Sequence, residues 1–304
     1  MKISFVNALH CFGFICICGP FQEEADTRLL LHVKDAAQQN EAVIIRSPDT
    51  DVFLLLLAFA NSFSAPVYMD TGSGDHRRIL DITQIRRDVG DNISKALLGL
   101  HAFTGCDTTS AFMRKGKSYP FKIMQRNGNY VDAFQKLGEL DEVPDDVIEV
   151  LEEFACLMYG FKSTKKCSPT INNCRYQKFM QRFSAKIGVL STDAGVDISL
   201  LPPCKSSLSL HIRRCNYQAA IWRRSLEPHH HLADPLLHGW VQGAEGLEFQ
   251  WTHEEMMPRD LESILVSNPP NFDYDDTEAE ELEPPSLSHE DEHFHEPEHD
   301  DDNL

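Results

Sequence analysis

Three acidic clusters stand at the ends of apolar segments in the first third of this 304-residue chain: Glu23-Glu24-Ala25-Asp26, Ser47-Pro48-Asp49-Thr50-Asp51 and Gly105-Cys106-Asp107-Thr108-Thr109. Carboxylates are hard oxygen donors, so a set gathered in one place suits Mg²⁺ or Mn²⁺ better than it suits a salt bridge. Glu24 and Asp26 are two residues apart, as are Asp49 and Asp51. That spacing separates side chains on a regular helix or strand. Where an element ends the backbone turns, and both members of a pair can address one ion, or two ions about 4 Å apart. Metals held there polarise a phosphate, generate hydroxide from bound water and steady the leaving oxygen. The chemistry expected is metal-dependent phosphodiester hydrolysis, with Glu24, Asp26, Asp49, Asp51 and Asp107 as catalytic and metal-binding residues.

These residues need elements that bring them together. From Gln22 to Gln39 the residues Ala25, Leu29, Leu30, Val33, Ala36 and Ala37 recur at helical spacing, with Glu23, Glu24 and Asp26 in the first turn. The short β-branched run 42–47 reads as a buried strand ended by Pro48, and Val52 to Phe59 reads as a buried helix that Asp49 or Thr50 can cap. Further strands are expected at 66–70 and 78–82, then helices at 93–103, 109–126, 129–138 and 144–160. Alternating strands and helices predict an α/β/α layered domain on a mainly parallel sheet, whose crevice lies at the carboxyl ends of the strands. Asp70, Asp75 and Asp81 are expected in turns and on the surface.

Taken in order, Glu-Ala-Asp at a helix start, Ser-Pro-Asp-Thr-Asp after a strand and Gly-Cys-Asp after a helix resemble the second half of the PIN-like core of flap endonucleases. The resemblance covers residues 22–125 and implies a three-layer α/β/α nuclease domain, with Glu24 and Asp26, Asp49 and Asp51, and Asp107 matching the family's metal-binding acids. It also implies that the stretch holding Ser110, Lys115, Lys117 and Lys122 grips a nucleic-acid backbone. The broader run from His101 to Phe112 resembles uncharacterised, mobile-element-derived animal proteins. The family's upstream strand-borne Asp, second acid and substrate arch have no match before Glu23, and Thr108 replaces its Tyr. The expectation is therefore a partial nuclease domain, which either turns over or keeps the scaffold as a non-catalytic nucleic-acid-binding or assembly module. Asp49-Thr50-Asp51 alone also resembles the nucleophile and acid of haloacid-dehalogenase-type phosphatases.

The formal charge of −19 is unevenly spread. Residues 273–304 hold 15 Asp and Glu and no Lys or Arg, a composition that predicts a disordered acidic tail. Residues 161–224 carry 12 Lys and Arg against only Asp193 and Asp197, interleaved with Phe161, Tyr176, Phe179, Tyr217 and Trp222. Such a stretch suits DNA or RNA, with Lys165, Lys166, Arg213 and Arg214 as backbone contacts; aromatic residues at helical spacing equally serve a core. The expected organisation is an atypical segment over 1–21, the partial PIN-like domain over 22–126, a helical basic region over 127–224, a variable region over 225–272 and the tail.

Nine irregularly spaced cysteines do not resemble a secreted disulfide scaffold, so a reduced intracellular compartment, nuclear or cytoplasmic, is expected. The apolar run from Ile3 to Cys18 is interrupted by Asn7 and His10 and is too short for a bilayer. It reads as a buried strand or a replaced start rather than a signal peptide, and no membrane partner is expected. Cys167/Cys174 and Cys204/Cys215 lack the short spacing of structural zinc sites, and Cys106 reads as a core residue.

Overall fold

The computed structural model describes residues 3–7, 25–161, 170–182, 197–227 and 233–253. Glu23, Glu24, Lys165, Lys166, Cys167, His229 to His231 and the acidic tail lie outside the described residues.

Four strands form one sheet in sequence order: β1 (Ile3–Asn7), β2 (Ala42–Arg46), β3 (Val67–Thr71) and β4 (Arg78–Asp81). The first pairs are parallel, Phe5 facing Ile44 and Ile45 facing Met69, whereas β4 runs antiparallel to β3 with Met69 opposite Leu80. The sheet is therefore mixed, parallel over three strands and closed by an antiparallel edge. A strand-to-strand return at Gly72 to Arg77 is too short for a parallel crossover, which requires a dozen or more residues.

Helix α1 (Ala25–Gln39) precedes β2 and buries Leu29, Leu30, Val33 and Ala37. Helix α2 (Thr50–Phe59) links β2 to β3 and buries Val52 and Leu54 to Ala58, which leaves it few polar positions and explains its near-continuous apolar sequence. Its start is fixed locally: Ser47 Oγ accepts from the Asp49 N–H at 3.1 Å, and the Asp49 carboxylate caps the helix by accepting from the Asp51 N–H at 2.8 Å. Helix α3 (Ile82–Val89) begins where strand was expected to continue, because Asp81 caps it through the Gln84 N–H at 2.8 Å. Buried Arg86 then donates to Ala58 O at 2.7 Å and to Leu57 O, satisfying carbonyls at the end of α2.

Helix α4 (Asp91–Thr104) is the centre of the helical half. Phe103 meets Phe134 and Phe154 edge-on at 5.6 and 5.9 Å and lies 5.2 Å from Phe112. These partners come from α6 (Gly128–Lys136), α7 (Asp145–Met158) and the loop after α4, so one core crosses the boundary expected at residue 126. The helix predicted over 109–126 is confined to α5 (Ser118–Met124). Helices α8 (Ile171–Arg182) and α9 (Lys205–Arg223) follow, then a hairpin of β5 (Trp240–Gln242) and β6 (Leu247–Phe249). Despite its basic composition, α9 buries Leu208, Leu210, Ile212, Cys215, Ala219 and Trp222. The fold is mixed α/β and rich in helix.

Candidate acidic site

Pro48 ends β2 and the cap on α2 turns the chain, so Asp49 and Asp51 stand at the carboxyl end of the strand. Asp26 is in the first turn of α1. Asp107 sits in a tight turn after α4, where the Cys106 and Thr109 backbones exchange hydrogen bonds of 3.3 Å and Thr109 Oγ1 donates to Ala102 O at 2.6 Å. Partial burial, and then the negative charges of Asp49, Asp51 and Asp107, push the Asp26 carboxyl up to about 6. Asp26 thus feels three carboxylates from two other stretches of the chain.

Each carboxylate's local partners differ. Asp49 is occupied by its helix cap. Asp51 Oδ1 lies 2.6 Å from Nε2 of His101, a 6% exposed residue on α4 whose ring also approaches Trp222 of α9 at 5.8 Å. Asp107 is exposed. A cation beside Asp51 is Lys117, whose ammonium donates to Gly105 O, to Thr104 Oγ1 at 3.3 Å and to His101 O at 3.4 Å, capping the end of α4. Desolvation lowers its pKa, opposed by the nearby Cys106 and Asp51 side chains.

Oxygen-rich chemistry fits a hard cation here, but the geometry does not close: among the described residues, no three His, Cys, Asp or Glu groups are placed to hold one ion. Glu24 lies outside the described residues.

The sequence singled out neither His101 nor the role of Asp70. Asp70 was expected at a surface turn, yet it is a buried residue of β3, accepting from Arg46 at 2.7 Å and from Arg77 through two bonds of 3.0 and 2.9 Å. Hydrogen bonding from Arg77, then Arg46, holds its carboxyl below the usual range. No spacing rule pairs Arg46 with a residue 24 positions on; only the β2–β3 register does.

The expected nucleic-acid contacts divide. Lys122 and Arg213 are exposed, and Lys115 lies over the Tyr159 ring at 4.7 Å. Arg214 is not a surface contact: it is 1% exposed and donates to Gly239 O and Gln250 O at 2.9 and 2.8 Å. Cys204 caps α9 while Cys215 lies three turns along it, a separation on the order of 16 Å that rules out a shared zinc ion. Cys106 is half-buried, with its Sγ 3.1 Å from Thr109 Oγ1. Among the described residues no helix is long and apolar enough to cross a membrane. Comparison with protein-family models, with curated proteins and with solved structures gives no match.

Proposed function

We propose that this chain is a nuclease-like protein of three-layer, PIN-like type, acting on DNA or RNA phosphodiesters inside the cell with Mg²⁺ or Mn²⁺. The observation that carries the reading is that Asp26, raised to about 6 first by partial burial, is raised also by the charges of Asp49, Asp51 and Asp107. Like charges are costly to gather, and a divalent cation or a proton relieves that cost. When bound, the ion would supply charge neutralisation and a hydroxide nucleophile. The protein's own contribution is to hold Asp49 and Asp51 at the exit of β2, Asp26 at the start of α1 and Lys117 at the end of α4.

A second reading has its own support. Asp49 and Asp51 already serve the α2 cap and His101, and the described carboxylates do not enclose an ion. A scaffold that binds a nucleic-acid backbone without turnover has this character.

Cleavage of labelled single-stranded, double-stranded and flapped DNA, and of RNA, with Mg²⁺ or Mn²⁺ separates the two. Cutting that disappears in an Asp49→Ala/Asp51→Ala variant, shown by circular dichroism to be folded, supports the nuclease. Binding without cutting in both proteins supports the scaffold.

A further inference from the structure

A cavity of about 520 Å³ lies between the loop after α4, helix α8, the segment before α9 and one face of α9. Phe112, Tyr159, Arg175, Ser207, Arg214 and Trp251 are among its walls, and no Asp or Glu lines it. Its size falls within the usual range for small-molecule pockets.

Arg214 is the unusual member. It is 1% exposed, its Nη1 donates only to the carbonyls of Gly239 and Gln250, and its Nε is buried without a hydrogen-bond partner. Its remaining neighbours include the rings of Phe249 and Trp251, at 4.9 and 5.7 Å. Among the described residues no carboxylate pairs with it, and a buried guanidinium lacking a counter-charge is unfavourable. Arg175 lines the same space, anchored by donation to Pro202 O. The 19-residue helix α9 also begins here, so that Cys204 and Ser207 of its positive dipole end are part of the cavity wall.

The neighbouring His211 adds no cation at neutral pH. Its Nε2 donates to Phe103 O at 2.8 Å, its Nδ1 accepts from Ser110 Oγ at 3.2 Å, and burial pushes it down to about 4. Positive charge in the cavity therefore comes from two arginines and a helix terminus, beside apolar and aromatic walls. The indole of Trp251, 59% exposed, offers a face for a planar ring.

We propose that this cavity binds an aromatic phosphate monoester of mononucleotide size, the phosphate on Arg175 and Arg214 and the base against Trp251. The inference does not rest on the nuclease reading, since none of Asp26, Asp49, Asp51 and Asp107 lines the cavity.

Calorimetric titration of the full chain with adenosine 5′-monophosphate, adenosine and inorganic phosphate tests it. The expected result is saturable nucleotide binding, with adenosine and phosphate each at least about tenfold weaker. Arg175→Gln, a change at a partly exposed site, is expected to weaken nucleotide binding by about tenfold or more, and Arg214→Lys to weaken it in a chain whose circular dichroism is unchanged. A 5′-phosphorylated dinucleotide provides a further arm: tighter binding than the mononucleotide identifies a strand terminus as the source of the phosphate, and weaker binding identifies a free nucleotide. Absence of saturation by either nucleotide, equal binding of adenosine, or unchanged affinity in Arg175→Gln overturns the proposal.

Discussion

Asp51 at the start of α2 and His101 near the end of α4 are joined by a 2.6 Å contact, 50 residues apart in sequence, and the same imidazole leans on Trp222. The contact ties the acidic edge to the helical core, so a change in Asp51's partners is felt by a buried ring. Removing one member strands the other: a His101→Phe chain keeps an aromatic ring but leaves the Asp51 carboxylate without its donor, at an expected cost of about 1–3 kcal/mol. Urea unfolding of His101→Phe, Asp51→Asn and the double variant forms a cycle, expected to show a coupling of about 0.5–3 kcal/mol. Strictly additive losses would mean that the contact contributes nothing.

Asp26 should make stability depend on pH in the sense opposite to a salt-bridged acid. Its folded pKa, about 6, lies above the ordinary aspartate value, so its stabilising contribution is fully present below the unfolded value and is lost as pH rises through 6. Asp26→Asn removes the penalty of ionisation and should raise stability near pH 7 by about 1 kcal/mol, a figure reduced for solvent screening of a half-buried group. Near pH 4 the difference should vanish. A gain that persists undiminished in acid would show that charge crowding is not its origin.

Much of the scaffold was legible because single elements announce themselves. The run 42–47 and the apolar block after Pro48 gave β2 and α2 nearly to the residue, and the cap at Asp49 could be named from its position. What failed were relations between elements. Whether β4 runs parallel depends on the length of a return loop, and Asp70 becomes a buried double acceptor only through its register with Arg46. Charge composition misled at α9: an arginine's apolar stem and planar head can be packed inside when carbonyls and rings surround it, as they surround Arg214. The acidic grouping itself was visible as three motifs in order, but their prior engagement with a cap and a histidine was not.

Gly99 of α4 lies against the backbone of Phe134 in α6. A Cβ at this position would stand 2.3 Å from the Phe134 carbonyl oxygen and 3.1 Å from its carbon, both main-chain atoms that cannot swing aside. Gly99→Ala must therefore push the helices apart around Phe103 and Phe134, outweighing the better helix propensity of alanine. The expected loss is about 3 kcal/mol, at the upper end of overpacking costs, read as a lower urea midpoint with an unchanged slope. A neutral or stabilising result would place the two helices further apart than described.

The Asp70 cluster predicts an acid limb distinct from that of Asp26. Its carboxyl is held below the ordinary aspartate value, first by the Arg77 hydrogen bond and then by Arg46, so the stability it contributes is present above the unfolded pKa and is lost as pH falls through the lower folded value. Asp70→Asn preserves shape but replaces two charge-assisted acceptors by one neutral oxygen and an amide donor facing guanidinium groups. Its melting temperature should fall below that of the parent near neutral pH, and the two should converge in acid once the pH has fallen through the parent's lowered pKa and its carboxylate is protonated. Because Arg46 also donates to Gly72 O, the variant should further loosen the turn between β3 and β4, seen as faster amide exchange at Gly72 to Arg77. A deficit of equal size at both pH values, with exchange in that turn unchanged, would show that the arginines pack against β3 without contributing through charge.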